Sequence, residues 1–205
     1  MSKNISKNVV IIYIGMYLLL IILQIVLFLT ANIDWDNEQT TVRVNSIMNL
    51  AFYGIMFLLY IGLFTNFWKK VVIQFKQNKK YYLKLIGLGF VALVAVSAFI
   101  GLGYELLGIN ETSDNQASLD ALLNGGWFDK FSLVIFAVFL APLVEEMVFR
   151  MATFNFLFRS KDIKPWVVIA ISSVLFGLIH VIGTFDFIQI FYYAGLGLIL
   201  GYFVD

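Results

Sequence analysis

The 205-residue chain has no cysteine, one histidine, two prolines and little charge, with Asp, Glu, Lys and Arg making up only 13% of it. Without cysteine there are no disulfides and no thiolate metal ligands. A soluble domain carries roughly 25% charged residues. Charge this sparse, beside 61% apolar residues and a mean hydropathy of +0.89, excludes an ordinary water-soluble fold. No internal repeat or low-complexity tract is present. The net charge of +1 excludes little as a sum; its distribution is more informative.

Long apolar runs stand where soluble sequence is lacking. Val9–Thr30 spans 22 residues, enough to cross a hydrocarbon core of ~30 Å. A signal peptide has an apolar core of only about 7–15 residues, and "LTA" at 29–31 is a weak cleavage-like site. Further runs cover Ser46–Trp68, Leu83–Leu107, Phe131–Phe158, Trp166–Thr184 and Phe187–Val204. They predict an all-α, polytopic transmembrane bundle of about six spanning helices.

Lysine and arginine set the orientation of such a bundle. The N-terminal tail, the segment Lys69–Lys84 and the connection holding Arg159, Lys161 and Lys164 contain 11 of the 14 basic residues. The alternate connections, around 31–45 and 105–130, hold Arg43 and Lys130 and are rich in Asp and Glu. The expectation is a multi-pass protein of the cell membrane with its N-terminus in the cytoplasm. Lysines beside a bilayer reflect topology and anionic lipid, so no nucleic-acid partner is expected. The outer stretch "GINETSDNQASLDALLNGGW" reads as a solvated connection with a short amphipathic turn. Its "NET" at 110–112 fits a glycosylation acceptor.

One apolar run holds charges. "APLVEEMVFR", 141–150, carries Glu145, Glu146 and Arg150, and ionisable residues inside a span normally face the bundle interior or a wet cavity. Glu146 and Arg150 are four apart and can pair, whereas Glu145 points about 100° away. Glu145 is then free for proton transfer; a structural ion-pair cluster joining helices is the competing reading. His180 lies near the far end of the next helix. Glu145 and His180 are equidistant from the middle of the connection 159–166. In an antiparallel hairpin with a rise of about 1.5 Å per residue, both lie roughly 21 Å from the turn. Pro142 cannot donate to the Val138 carbonyl and should bend the helix or admit water. Gly177 permits close helix contact. Phe149 and Phe176, each four residues from Glu145 or His180, could wall a pocket.

"EEMVFR" fits an EExxxR signature and "FGLIH" fits FxxxH. As a pair they resemble the CPBP intramembrane proteases, the CAAX-protease and bacteriocin-processing (Abi) family, over about residues 130–201. The resemblance implies peptide-bond hydrolysis within the membrane, on a membrane-associated peptide or protein. It implies Glu145 as activator of water, His180 as its assistant, and Glu146 and Arg150 in support. Members have been read both as zinc enzymes and as glutamic proteases. One histidine and a few carboxylates make a poor zinc set, since a catalytic zinc takes three protein ligands. General-base chemistry with no metal or other cofactor is therefore expected. "FYYAGLGLILGYFVD" resembles the family's glycine-spaced helix through Phe191, Gly197 and Gly201. The family's further helix with HxxxN, thought to bind the oxyanion, does not appear before Asp205, so the chain is expected to be C-terminally truncated or a short member.

This divides the chain into N-terminal helices and outer loop, 1–129, and an incomplete catalytic core, 130–205. An intramembrane endopeptidase is the first functional expectation. A catalytically impaired member, acting in bacteriocin immunity or bound to a membrane sensor kinase, is the second. A proton-coupled transporter is the third, and it lacks an inverted repeat or paired broken helices.

Overall fold

A computed structural model describes residues 3–109, 113–153, 163–182 and 185–203. Among these the chain is all-helical. The helices are α1 (Lys3–Thr30), α2 (Glu38–Leu63), α3 (Thr65–Gln77), α4 (Lys79–Leu106) and α5 (Asp114–Asn124), followed by α6 (Trp127–Ala152), α7 (Pro165–Val181) and α8 (Ile190–Tyr202), the last entered through a 3₁₀ turn, Phe187–Gln189. Four are long and apolar enough to cross a membrane: α1, α2, α4 and α6. The other two apolar runs form the shorter helices Pro165–Val181 and Phe187–Tyr202. The "NET" sequence and the basic residues Arg159 and Lys161 lie outside the described residues.

Two elements differ in extent from the apolar runs. The second run, Ser46–Trp68, is divided: α2 stops at Leu63, and Phe64 leaves helical geometry at φ −119°, ψ 33°. The break is stabilised from both sides. Trp68 donates its indole N–H to the Tyr60 carbonyl at 3.2 Å, and the Thr65 hydroxyl donates to the Ile61 and Gly62 carbonyls. The lysines Lys69, Lys70 and Lys76 consequently sit on a separate helix, α3, with no buried residue. In the outer connection, the short amphipathic turn is an 11-residue helix, α5, capped by Ser113, whose hydroxyl accepts from Gln116 N–H at 3.1 Å.

The core lies between α1, α2, α6 and α7. Val9 and Tyr13 meet Phe52, Met56 and Tyr60 of α2, and Val144, Met147 and Phe149 of α6. Elsewhere apolar side chains point outward, as a span requires: α4 buries none of its residues, and Phe90, Phe99 and Leu102 are exposed on it. A helix satisfies the backbone groups of its interior by its own hydrogen bonds, so such a surface suits lipid.

Helix α7 packs tightly on α8 because glycine removes the side chain at both approaches. A Cβ on Gly177 would come within 3.0 Å of the Ile190 carbonyl, and one on Gly197 within 3.0 Å of Ser173 Cα. Helix α4 covers the other side of α8 through a hydrogen bond shared by Ser97 and Tyr192 (2.7 Å) and through Tyr104, which donates to the Ile188 carbonyl at 2.8 Å.

Asp129 fastens the start of α6 to α2. Only 3% exposed, it accepts from Arg43 Nε (2.8 Å), from the Ser46 hydroxyl (2.8 Å) and from Gly126 N–H (2.9 Å). Ser132 adds a bond to the Ser46 carbonyl at 2.9 Å.

Candidate active site

The charged sequence of α6 folds as an alternation of two helical forms. Val134–Leu140 and Glu146–Ala152 are π-helical, and Ala141–Glu145 between them is α-helical. The bend expected at Pro142 is met by widening: Ala141 N–H donates to Phe136 O, five residues back rather than four. The second wide segment begins at Glu146 and contains Arg150. Such π segments are rare and frequently mark functional sites.

Glu145 is held from α2. Tyr53 donates its hydroxyl to Glu145 Oε1 at 2.9 Å, and the Tyr53 ring stacks on Phe136 at 6.1 Å and 7°. This is the only hydrogen bond of Glu145 among the described residues, so Oε2 is left for another donor. A carboxylate in an apolar bundle gains from such a charge-assisted bond.

Arg150 is 1% exposed and joins three helices. Nη1 donates to Ser172 Oγ of α7 and Nη2 to the Gly197 carbonyl of α8, both at 3.0 Å. Its guanidinium lies over the Phe176 ring at 5.2 Å. The pairing with Glu146 expected from their spacing is present as a contact of 4.0 Å to Arg150 Nε. That distance is too long for a hydrogen bond, and Nε makes none. Glu146 is partly exposed. Arg150 is therefore anchored chiefly by the next two helices and only electrostatically by Glu146. Ser172 also donates to the Phe149 carbonyl.

His180 is fixed by three contacts. Nδ1 lies 2.7 Å from the Phe176 carbonyl; a carbonyl only accepts, so Nδ1 carries a proton, and in the neutral imidazole Nε2 then presents its lone pair. Phe176 lies 4.5 Å away on one side, and the Tyr193 ring stacks on the imidazole at 4.7 Å and 16°. Phe149 and Phe176 meet edge to face at 5.7 Å. That contact joins α6 to α7.

The structure thus brings Glu146, Arg150, Phe149 and Phe176 into one contact network that reaches His180, with Glu145 attached to it through the helix and to α2 through Tyr53. No hydrogen bond or ion pair joins Glu145 or Glu146 to His180 among the described residues. Phe149 and Phe176 are core residues, 7% and 8% exposed. Sequence reasoning misses Tyr53, Ser172, Gly197 and Tyr193 as partners. Ser172 has a visible signal as a hydroxyl in an apolar helix, and Gly197 as one of the spaced glycines of its helix.

Among the described residues no three His, Asp or Glu side chains converge to hold a metal ion.

The sequence profile described as Type II CAAX prenyl endopeptidase Rce1-like matches residues 127–205, the part formed by α6, α7 and α8. No curated protein and no solved structure matches the chain.

Proposed function

Residues 127–205 belong to the Type II CAAX prenyl endopeptidase Rce1-like family, and from that premise we propose that the chain is a multi-pass membrane endopeptidase acting on a membrane-associated peptide or protein. The observation that supports this reading is that the matched segment contains Glu145 and His180 on α6 and α7, which meet through Phe149 and Phe176. Residues 130–205 form the catalytic core in this reading, and residues 1–129 support it, with Tyr53 reaching in from α2.

In the proposed reaction Glu145 takes a proton from a water held at Oε2, and the oxygen of that water attacks the scissile carbonyl. As the tetrahedral intermediate collapses, the C–N bond breaks and Glu145 returns the proton to the leaving amine. Tyr53 fixes the carboxylate. His180, with Nδ1–H committed to Phe176, offers Nε2 to the same water. Arg150 holds α6, α7 and α8 together and counters the charge of Glu146. The N-terminus and α3 face the cytoplasm, where six lysines between Lys69 and Lys84 meet anionic lipid headgroups.

The test is cleavage of a prenylated CAAX peptide by the purified protein in liposomes. Glu145→Gln and His180→Ala are expected to abolish it while membrane insertion is retained; undiminished turnover in both removes the assigned chemistry. One observation favours a non-catalytic binding role, in bacteriocin immunity or with a sensor kinase: the lack of a direct contact between His180 and either glutamate. Protection or binding that survives Glu145→Gln would establish that role instead.

A further inference from the structure

Tyr193 has no part in the reaction just described, yet its ring stacks directly on His180. Its ring covers one face of the imidazole nearly in parallel, at 4.7 Å and 16°, a separation typical of interacting aromatic rings. A ring can hold its neighbour's plane only if its own orientation is fixed. For Tyr193 that fixing comes from outside the matched helices. Its hydroxyl shares a hydrogen bond with Ser113 Oγ at 2.7 Å and accepts from Asn115 Nδ2 at 3.1 Å. Ser113 is 7% exposed and also caps α5 through Gln116 N–H. One hydroxyl therefore serves both the start of α5 and the support of His180.

We propose that Tyr193 is a positioning residue for His180 and that Ser113 and Asn115 hold it in place, which makes the start of α5 a part of the site. Three supports then define the imidazole: the Phe176 carbonyl at Nδ1, the Phe176 ring and the Tyr193 ring. Losing the Tyr193 support leaves the side chain free to leave the Phe176 carbonyl and exchange tautomers, so Nε2 no longer presents a constant lone pair. The consequence for turnover rests on the hydrolase reading; the geometry does not.

His180 is the only histidine in the chain, so its ¹⁵N imidazole signals can be read in the full-length protein in nanodiscs without assignment. In the unaltered protein they should report Nδ1 protonated and Nε2 not. Ser113→Ala and Tyr193→Phe remove the hydroxyl bond and keep the stacked ring, and should move the two nitrogens partway toward a tautomer mixture. Tyr193→Leu removes the ring and should move them further. If α8 does not tolerate leucine, the other two variants carry the test. In the same variants kcat should fall by about tenfold or more, with KM near its original value. Imidazole signals that stay unchanged in Ser113→Ala and Tyr193→Phe overturn the proposal. Signals that respond in a protein that cleaves nothing support the positioning and refute the hydrolase reading, so the two failures are distinguishable.

Discussion

Arg150 of α6 donates to the main-chain oxygen of Gly197 on α8, 3.0 Å away and 47 residues along the chain. Gly197 itself lies against Ser173 of α7, where a Cβ would come within 3.0 Å of the Ser173 backbone. Gly197→Ala would put a methyl about 3 Å from the Ser173 backbone, which cannot yield as a side-chain tip can. The expected loss is about 1–3 kcal/mol, read as a lower unfolding midpoint in detergent. Arg150→Lys keeps the charge but replaces a fork with a point donor. It loses the planar pair of Nη donors that reach Ser172 and Gly197 separately, and a loss of about 1.5–3 kcal/mol is expected. An unchanged midpoint in both would show that the guanidinium does not hold the three helices.

Asp129 is the second fastening and lies away from the proposed chemistry. Asp129→Ala leaves the Ser46 hydroxyl and Gly126 N–H without their shared acceptor and releases Arg43. Hydrogen bonds to a charged group contribute about 1.5–3 kcal/mol each when buried. Arg43 is half exposed, so its share is small, and the loss should come mainly from the buried Ser46 and Gly126 bonds, at least about 1.5–3 kcal/mol. The variant should unfold earlier but retain turnover per folded molecule. Loss of turnover at full folding would show that the α2–α6 contact tunes the site.

What the sequence makes legible here is local. The six apolar runs are visible because a bilayer demands length and apolarity from consecutive residues. The Glu146–Arg150 contact is visible because four residues make about one turn. The break at Phe64 is not legible, since the Trp68 and Thr65 side chains decide it and an apolar run passes through it unmarked. Nor are Tyr53 and Tyr193, whose partners lie 92 and 80 residues away. Ten tyrosines are present, and no spacing singles out these two. The anchoring of Arg150 shows the same limit: the nearby carboxylate is what the spacing offers, while the hydrogen bonds go to Ser172 and Gly197.

Tyr53→Phe tests the second-helix contribution to the site. The ring and its stacking on Phe136 stay, and only the donor to Glu145 is lost. A hydrogen bond to a charged group worth about 1.5 kcal/mol or more corresponds to roughly tenfold or more in rate. Cleavage should fall by about that factor with the unfolding midpoint little changed. Turnover equal to the unaltered protein would remove Tyr53 from the site and leave its bond to Glu145 as packing only.

The orientation can be tested without background, because a chain with no cysteine accepts a single one as the only label site. Asn78, between α3 and α4, and Ser118, on α5, are both exposed, and α4 alone separates them as a candidate span. Each lysine of the Lys69–Lys84 group near an anionic leaflet contributes about 1 kcal/mol, and α5 has no basic residue to oppose that bias. Asn78→Cys should therefore react with an impermeant maleimide only after cells are opened, and Ser118→Cys in intact cells. The reverse pattern would overturn the cytoplasmic N-terminus while keeping α4 as a crossing. Reaction of both from the same side would remove α4 as a crossing.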